Sequence, residues 1–386
     1  MQVALDTLTA LDEFFFEPIA KHLHSLHPNL PSIADRVTSV QGSWHLSPKQ
    51  HAIEFVIYNI LFALAVWLAA KRLPNWRSVN VVLLLSAFLP LVQFSVSSTH
   101  IHQHTTTFSL SSTKRCQVCV CVDVDVDGCC TEKLTENTHI GCWHNSTLVS
   151  ETTVPLSSRG WFPRLLDALC TVAMLVFYGS AIYYKTVRGH LLFLLQPCHI
   201  FSVLLLLLCF WPEKSLKRHV LFHIHIHCLW GALLALVFPD FRDYGMYLEI
   251  HFFIMQHLAL VIVPLVWVYT GRFPLVSMYG RGFSVTIFAF FVHALYHSFV
   301  LASLALYTGN NLNYLMSPPT GILESFGSFY RPVMYAFCLV LTIIVRFVVI
   351  GTAAKLLRSK PVDVNANGHF EVYTSPAVQH QHQHQE

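Results

Sequence analysis

His190-Leu-Leu-Phe-Leu-Leu-Gln196-Pro197-Cys198-His199-Ile-Phe-Ser-Val-Leu-Leu-Leu-Leu-Leu-Cys209-Phe-Trp211 is an apolar run long enough to cross a bilayer. Inside it stand a proline, a thiol and an imidazole, at Pro197, Cys198 and His199. A polar side chain in hydrocarbon is expensive, so its presence there marks a candidate functional position. Proline within a spanning helix removes a backbone hydrogen bond and opens the helix locally. The run therefore reads as one membrane span with Cys198 at the centre of an intramembrane site.

The same apolar pattern recurs at 52–70, 165–184, 220–238, 247–269, 282–307 and 333–353, besides 191–211 itself. Hydrophobic residues make up 54% of the 386 and charged residues 12%, with a mean hydropathy of +0.51. Soluble domains carry roughly 25% charged residues. The expected fold class is all-α, a polytopic transmembrane helix bundle with about seven spanning helices. A net charge of +3 without a basic cluster argues against a nucleic-acid partner. The first apolar patch, Phe14 to Phe16, is too short for a cleavable signal peptide and lacks a basic lead. Five cysteines fall in apolar segments (Cys170, Cys198, Cys209, Cys228, Cys338) and six crowd between Cys116 and Cys142, so a uniform disulfide framework is not expected.

The chain divides into an N-terminal region (1–51), a first span (52–72), a long loop (73–162), a six-helix core (163–355) and a His/Gln-rich tail (356–386) read as disordered and cytosolic. Flanking positive charge orients the bundle. Lys71, Arg72, Lys214, Lys217, Arg218, Arg272, Arg281 and Lys355 gather on one face, which makes the C-terminus cytosolic and residues 1–51 lumenal. An extra span over 80–96 would break this parity, and Pro90 and Gln93 count against it. The loop also holds Asp123-Val-Asp125-Val-Asp127-Gly128, which imitates the start of a calcium loop. Its twelfth position is Leu134 rather than a bidentate glutamate. The sequon at Asn145 takes a glycan only if the loop is lumenal, which this orientation denies.

Depth follows from helical rise. Cys198 lies about eight residues below the lumenal end of its span, roughly 12 Å at about 1.5 Å per residue. His257 lies about ten residues below the same face, His227 about eleven and His297 about ten. Four polar residues on four spans thus fall within about one helical turn of a single plane. A thiol with a neighbouring imidazole suits nucleophilic acyl transfer through a thioester. One Cys and three His also make a legitimate zinc ligand set, although structural zinc sites normally use short-spaced ligand pairs. Glu249, at the mouth of the fifth span, reads either as an interfacial charge or as a residue that orients a histidine. His199 points about 100° away from Cys198 on a helix, so it is not expected to serve the thiol directly.

Residues from about 164 to 355 resemble the transmembrane protein 164 family. The resemblance is carried in order by Leu194-Leu195-Gln196-Pro197-Cys198-His199, the stretch Gly231 to Pro239, Gln256-His257, Tyr296-His297, Asn311-Leu312-Asn313 and Phe329-Tyr330-Arg331. Gln196 departs from the family's more usual Asn before Pro-Cys, and the 73–162 loop is longer than the family's. The resemblance implies a multipass acyltransferase of the endoplasmic reticulum membrane. Such an enzyme moves a polyunsaturated (C20:4) acyl chain from a diacyl phospholipid to a lyso-ether phospholipid without CoA, and is linked to ether-lipid supply and ferroptosis. It implies Cys198 as nucleophile and His257 as essential histidine; His227, His297, Gln256 and Asn313 stand at matching positions as site-lining candidates, and Glu249 joins them from its place at the mouth of the fifth span. No cofactor and no metal are implied, and no protein partner is named. An intramembrane ester hydrolase and a His-lined metal or proton transporter remain the alternatives.

Overall fold

The computed structural model describes residues 9–10, 12–32, 39–73, 160–211, 216–276 and 281–357, with short strands at 361–364 and 370–372. Ser47 caps the first span, Pro48–Lys71: its Oγ accepts from the Gln50 N–H at 3.2 Å, and Pro48 occupies a first-turn position that needs no N–H. The second, fourth, fifth, sixth and seventh spans are Trp161–Val187, Lys217–Val237, Glu249–Tyr269, Gly282–Thr308 and Glu324–Leu356. Among the described residues these six helices are long and apolar enough to cross a membrane, and a shorter apolar helix, Pro197–Phe210, makes the third. The expected all-α polytopic bundle is present.

The first span packs along the sixth and the fifth along the second, while the third lies among the second, fourth and fifth. Met174, Leu205, Leu208, Phe222, Leu260, Trp267 and Phe273 fill the space between them. Outward faces carry Ile60, Val172 and Phe210, which are 62%, 57% and 72% exposed. Such a belt suits lipid rather than water. Arg272 ties the third helix to the exit of the fifth. It pairs with the Asp167 carboxylate at 3.2 Å and donates to the Leu208 and Cys209 carbonyls at 3.1 and 3.0 Å. Those carbonyls end the third helix and have no partner within it.

The third span is not one helix with a proline in its middle. A 3-10 turn, Leu191–Leu195, gives way at Gln196 (φ −59°, ψ 148°) to an α-helix that begins with Pro197. The ring of a proline pushes the preceding residue into extended geometry, and its missing N–H costs nothing in a first turn. The fourth span is also divided, into Leu216–His227 and Trp230–Val237, and the sixth contains a π-helical turn, Tyr296–Leu301.

The N-terminal region covers one end of the bundle, here the amino-terminal face. Gly42 donates its N–H to the Gly309 carbonyl at 2.9 Å, and a Cβ on Gly42 would stand 2.5 Å from that oxygen, so only glycine fits. The connection between the fourth and fifth spans is pinned over the same face. Arg188 pairs with Glu249 at 3.0 Å, and Glu249 accepts from the Gly245 and Met246 N–H groups at 3.0 and 3.1 Å. The Ser39 N–H donates to the Asp243 carboxylate at 3.1 Å. Asp240 pairs with Arg242 at 2.5 Å and accepts from the Tyr314 hydroxyl at 2.9 Å. Hydrogen bonding from Arg242 holds the Asp240 carboxyl below its ordinary 3.8.

The tail expected to be disordered over 356–386 contains structure. β2 (Pro361–Val364) runs parallel to β1 (Leu275–Val276) and antiparallel to β3 (Phe370–Val372). Val-Asp-Val at 362–364 and Phe-Glu-Val at 370–372 alternate apolar and polar with the period of a strand, and Asn367-Gly368 between them is a hairpin turn signal. The His/Gln repeats bias the composition of the tail and mask this pattern. The extra apolar stretch 80–96, the cysteines from 116 to 142, the aspartate run and the Asn145 sequon lie outside the described residues.

Candidate active site

Cys198 is the second residue of its helix, because Pro197 starts it. The N–H groups of a first turn have no partner inside the helix. The His199 N–H is taken up by the Gln196 carbonyl at 3.0 Å, which leaves the Cys198 N–H as the amide of this turn nearest its own sulfur. A helix N-terminus favours negative charge at this position. A second source of positive potential is Lys185, in the last turn of the second span and 9% exposed. Its ammonium sits between the Phe193 and Tyr244 rings, 5.7 and 5.4 Å from their centres, within electrostatic reach of both Cys198 and His199. The Cys198 amide and the Lys185 ammonium are groups of the kind that favour a thiolate or a developing oxyanion.

Two imidazoles, His199 in the same turn and His257 of the fifth span, have hydrogen bonds that fix opposite tautomers. His257 Nδ1 is 2.8 Å from the Phe253 carbonyl oxygen, which only accepts. The ring proton is therefore on Nδ1, and Nε2 carries the lone pair. His199 Nδ1 is 3.1 Å from the Gln256 amide nitrogen, which only donates, so the His199 proton is on Nε2. The same Gln256 nitrogen donates to Ser202 Oγ at 2.9 Å, and Ser202 donates to the Cys198 carbonyl at 2.9 Å. Gln256 thus joins the fifth span to the first turn that carries Cys198. His257 and His199 interact electrostatically. Phe253 covers His257 at 4.1 Å between ring centres and packs in turn on Phe241 and Tyr244 of the 238–248 connection. Tyr296 donates to the Leu195 carbonyl at 2.6 Å and lies within electrostatic reach of Cys198.

The remaining sequence candidates go elsewhere. His227 donates from Nδ1 to the His223 carbonyl at 2.6 Å, with its ring 6.3 Å from Phe347 of the seventh span. His297 bonds the Tyr335 hydroxyl at 2.9 Å, and Asn313 adopts left-handed geometry at φ 47°. Glu249 holds Arg188 and the connection's backbone rather than a histidine. Equal depth fixes height along a helix but not direction around it, so the expected layer of four splits. His257 follows Gln256, which bonds His199 and Ser202 beside Cys198, whereas His227 and His297 face other partners. Among the described residues no group of three or more His, Cys, Asp or Glu is arranged to hold a metal ion. Sequence reasoning missed Lys185, Tyr244 and Tyr296. Lys185 reads from sequence as a flanking charge, and only its last-turn position facing the start of the third helix hints otherwise.

A family model described as the TMEM164 family matches residues 149–351. The Transmembrane protein 164 homolog of Dictyostelium discoideum is 29% identical over 164 residues, which cover 41% of this chain and 56% of that protein. The chain therefore spans about half the length of that curated relative. No solved structure matches it.

Proposed function

The chain belongs to the TMEM164 family, and from that premise we propose that it is a CoA-independent phospholipid acyltransferase with Cys198 as nucleophile. His257 Nε2 takes the thiol proton. The thiolate attacks the sn-2 ester carbonyl of a diacyl phospholipid, and the oxyanion is met by the Cys198 N–H and the His199 Nε2–H. The C–O bond breaks, and the leaving lyso-lipid oxygen takes the proton back from His257. The acyl group, a polyunsaturated C20:4 chain, now rests on sulfur as a thioester. The sn-2 hydroxyl of a lyso-ether phospholipid then gives its proton to His257 and attacks, which expels the thiolate. The placement of Cys198 in the first turn of its helix suits an ester carbonyl near the headgroup–acyl boundary. Placement in the endoplasmic reticulum and a part in ether-lipid supply and ferroptosis belong to the same proposal.

What supports it is a thiol in the first turn of its helix, a Gln256 bridge from the fifth span to His199 and Ser202 beside that turn, and, next to Gln256, an imidazole whose tautomer leaves Nε2 as base. The test uses purified full-length protein, an arachidonoyl phosphatidylcholine donor and a lyso-ether acceptor. Acyl transfer is expected in the wild type and lost in Cys198→Ala. Full transfer by Cys198→Ala sinks the proposal, and release of free fatty acid regardless of acceptor makes the protein a hydrolase instead.

A further inference from the structure

Two segments outside the spans present large apolar side chains to the surroundings. The first, residues 12–26, is a π-helical turn, Asp12–Phe16, that runs into the α-helix Glu17–Leu26. At about 1.5 Å per residue it is roughly 22 Å long, too short for a hydrocarbon layer of about 30 Å. The second, residues 321–329, ends in the 3-10 turn Glu324–Phe329 and bends at Gly321 and Gly327, both at positive φ. The helical run from Tyr330 to Leu356 is long enough to cross without it. Phe14 and Ile322 are 85% and 82% exposed, and Phe15, Phe326 and Phe329 are exposed as well. Single exposed apolar residues are ordinary, whereas five of them gathered at one level form a patch with a partner.

The level is set by the first span, Pro48–Lys71, to whose first turn both segments are fastened. Lys49 pairs with Asp12 at 2.5 Å and with Glu17 at 3.9 Å. Gln50 donates to the Ser328 carbonyl at 2.9 Å. Adjacent residues on a helix point about 100° apart, so the two segments leave the span in different directions. Further along, Ile57 and Ile60 of the first span and Phe337 and Val340 of the seventh face outward in the lipid belt. The two segments continue that belt to its rim, where headgroups meet acyl chains. The inner side of the first segment is already satisfied, with Ala20 buried and Leu23 packed on the core that contains Leu306 and Met316. Their acidic residues, Asp12, Glu13, Glu17 and Glu324, outnumber the one lysine, Lys21, so attraction to anionic lipid does not hold them there. We propose that residues 12–26 and 321–329 lie in the membrane plane on the amino-terminal face, with Phe14, Phe15, Ile322, Phe326 and Phe329 inserted among the acyl chains just below the headgroups. Trp44 Nε1 donates to the His27 carbonyl at 3.0 Å, which joins the first inserted segment to the N-terminal cover. The proposal goes beyond the acyltransferase reading and does not rest on it.

The test uses the full-length protein in phosphatidylcholine nanodiscs. Phe14, Phe329 or, as a water-facing control, exposed Gln41 is replaced one at a time by trifluoromethylphenylalanine, and its fluorine resonance is followed. All three positions are exposed, so the core keeps its packing. One reagent is a phosphatidylcholine with a nitroxide at the fifth carbon of its acyl chain, and the other is a soluble gadolinium chelate. The lipid nitroxide is expected to broaden the lines at Phe14 and Phe329 at least about threefold more than the line at Gln41, and the chelate to do the reverse. The pattern is expected to persist when part of the phosphatidylcholine is replaced by phosphatidylglycerol. Broadening by the chelate at Phe14 or Phe329 equal to that at Gln41 puts that segment in water and overturns the proposal. Protection of either position from both reagents shows that a second copy, a protein partner or another part of the chain covers the patch, which also overturns it. Insertion that appears only with phosphatidylglycerol contradicts the apolar basis and overturns it too. No readout involves Cys198, so failure here leaves acyl transfer standing, and loss of transfer leaves these anchors standing.

Discussion

At the scale of single residues, a proton's position separates two neighbouring histidines. His257 holds its proton against the Phe253 carbonyl and keeps a basic Nε2, while Gln256 turns His199 into a donor. His257→Gln fills the same space without a base. Its kcat for acyl transfer is expected to fall by roughly 10²–10⁴-fold with the melting temperature little changed; an unaltered kcat would remove His257 from the chemistry. Gln256 was legible in the sequence as the neighbour of His257, but its bridging role was not, because that depends on which way two helices face. His199 was set aside because adjacent residues on a helix point about 100° apart, and the Gln256 bond that makes it a donor depends on how the third and fifth spans pack. Asp240 belongs to this scale too. Its depressed carboxyl contributes stability above its ordinary 3.8, and the contribution is lost as pH falls below that value. Asp240→Asn is therefore expected to lower stability at pH 7 by about 0.5–1 kcal/mol. In thermal melts the gap from wild type closes in acid, and a gap that widens in acid would contradict the assignment.

At the scale of elements, the join between the 3-10 turn Leu191–Leu195 and the helix Pro197–Phe210 decides where the thiol points. The apolar run announced a span, and Pro197 announced an irregularity. Composition could not say whether the proline kinks a helix or starts one. Extended Gln196 shows that it starts one. Pro197→Ala lifts the constraint on Gln196 and lets the helix propagate from Leu195, which moves Cys198 from first turn to interior. The expected outcome is a large loss of acyl transfer in a protein that still folds, read by activity beside a thermal melt. Full activity in Pro197→Ala would show that the helix terminus does not matter. The strands at 361–364 and 370–372 carry the opposite lesson. Their alternation was written in the sequence and was overlooked beside the repeats that follow.

At the scale of the whole molecule, the spans were legible because hydrocarbon demands long apolar helices. How they pack was not, because apolar surface is much the same all round each helix. The polar ties between spans settle it. One of them, Asp167 with Arg272, fastens the second span to the exit of the fifth and, through backbone carbonyls, to the end of the third. Asp167→Asn leaves a buried guanidinium without its carboxylate, which costs about 3–5 kcal/mol. It is expected to lower the melting temperature measured in detergent, and an unchanged melt would mean that the pair is dispensable.

The bundle, the N-terminal cover and the pinned 238–248 connection all converge on the first turn of the third helix. The most direct test is mass spectrometry of the Cys198 peptide after brief incubation of the purified protein with arachidonoyl phosphatidylcholine. An arachidonoyl thioester on Cys198, consumed when lyso-ether phospholipid is added, is the predicted result. Acyl transfer at full rate with Cys198 never acylated would contradict it.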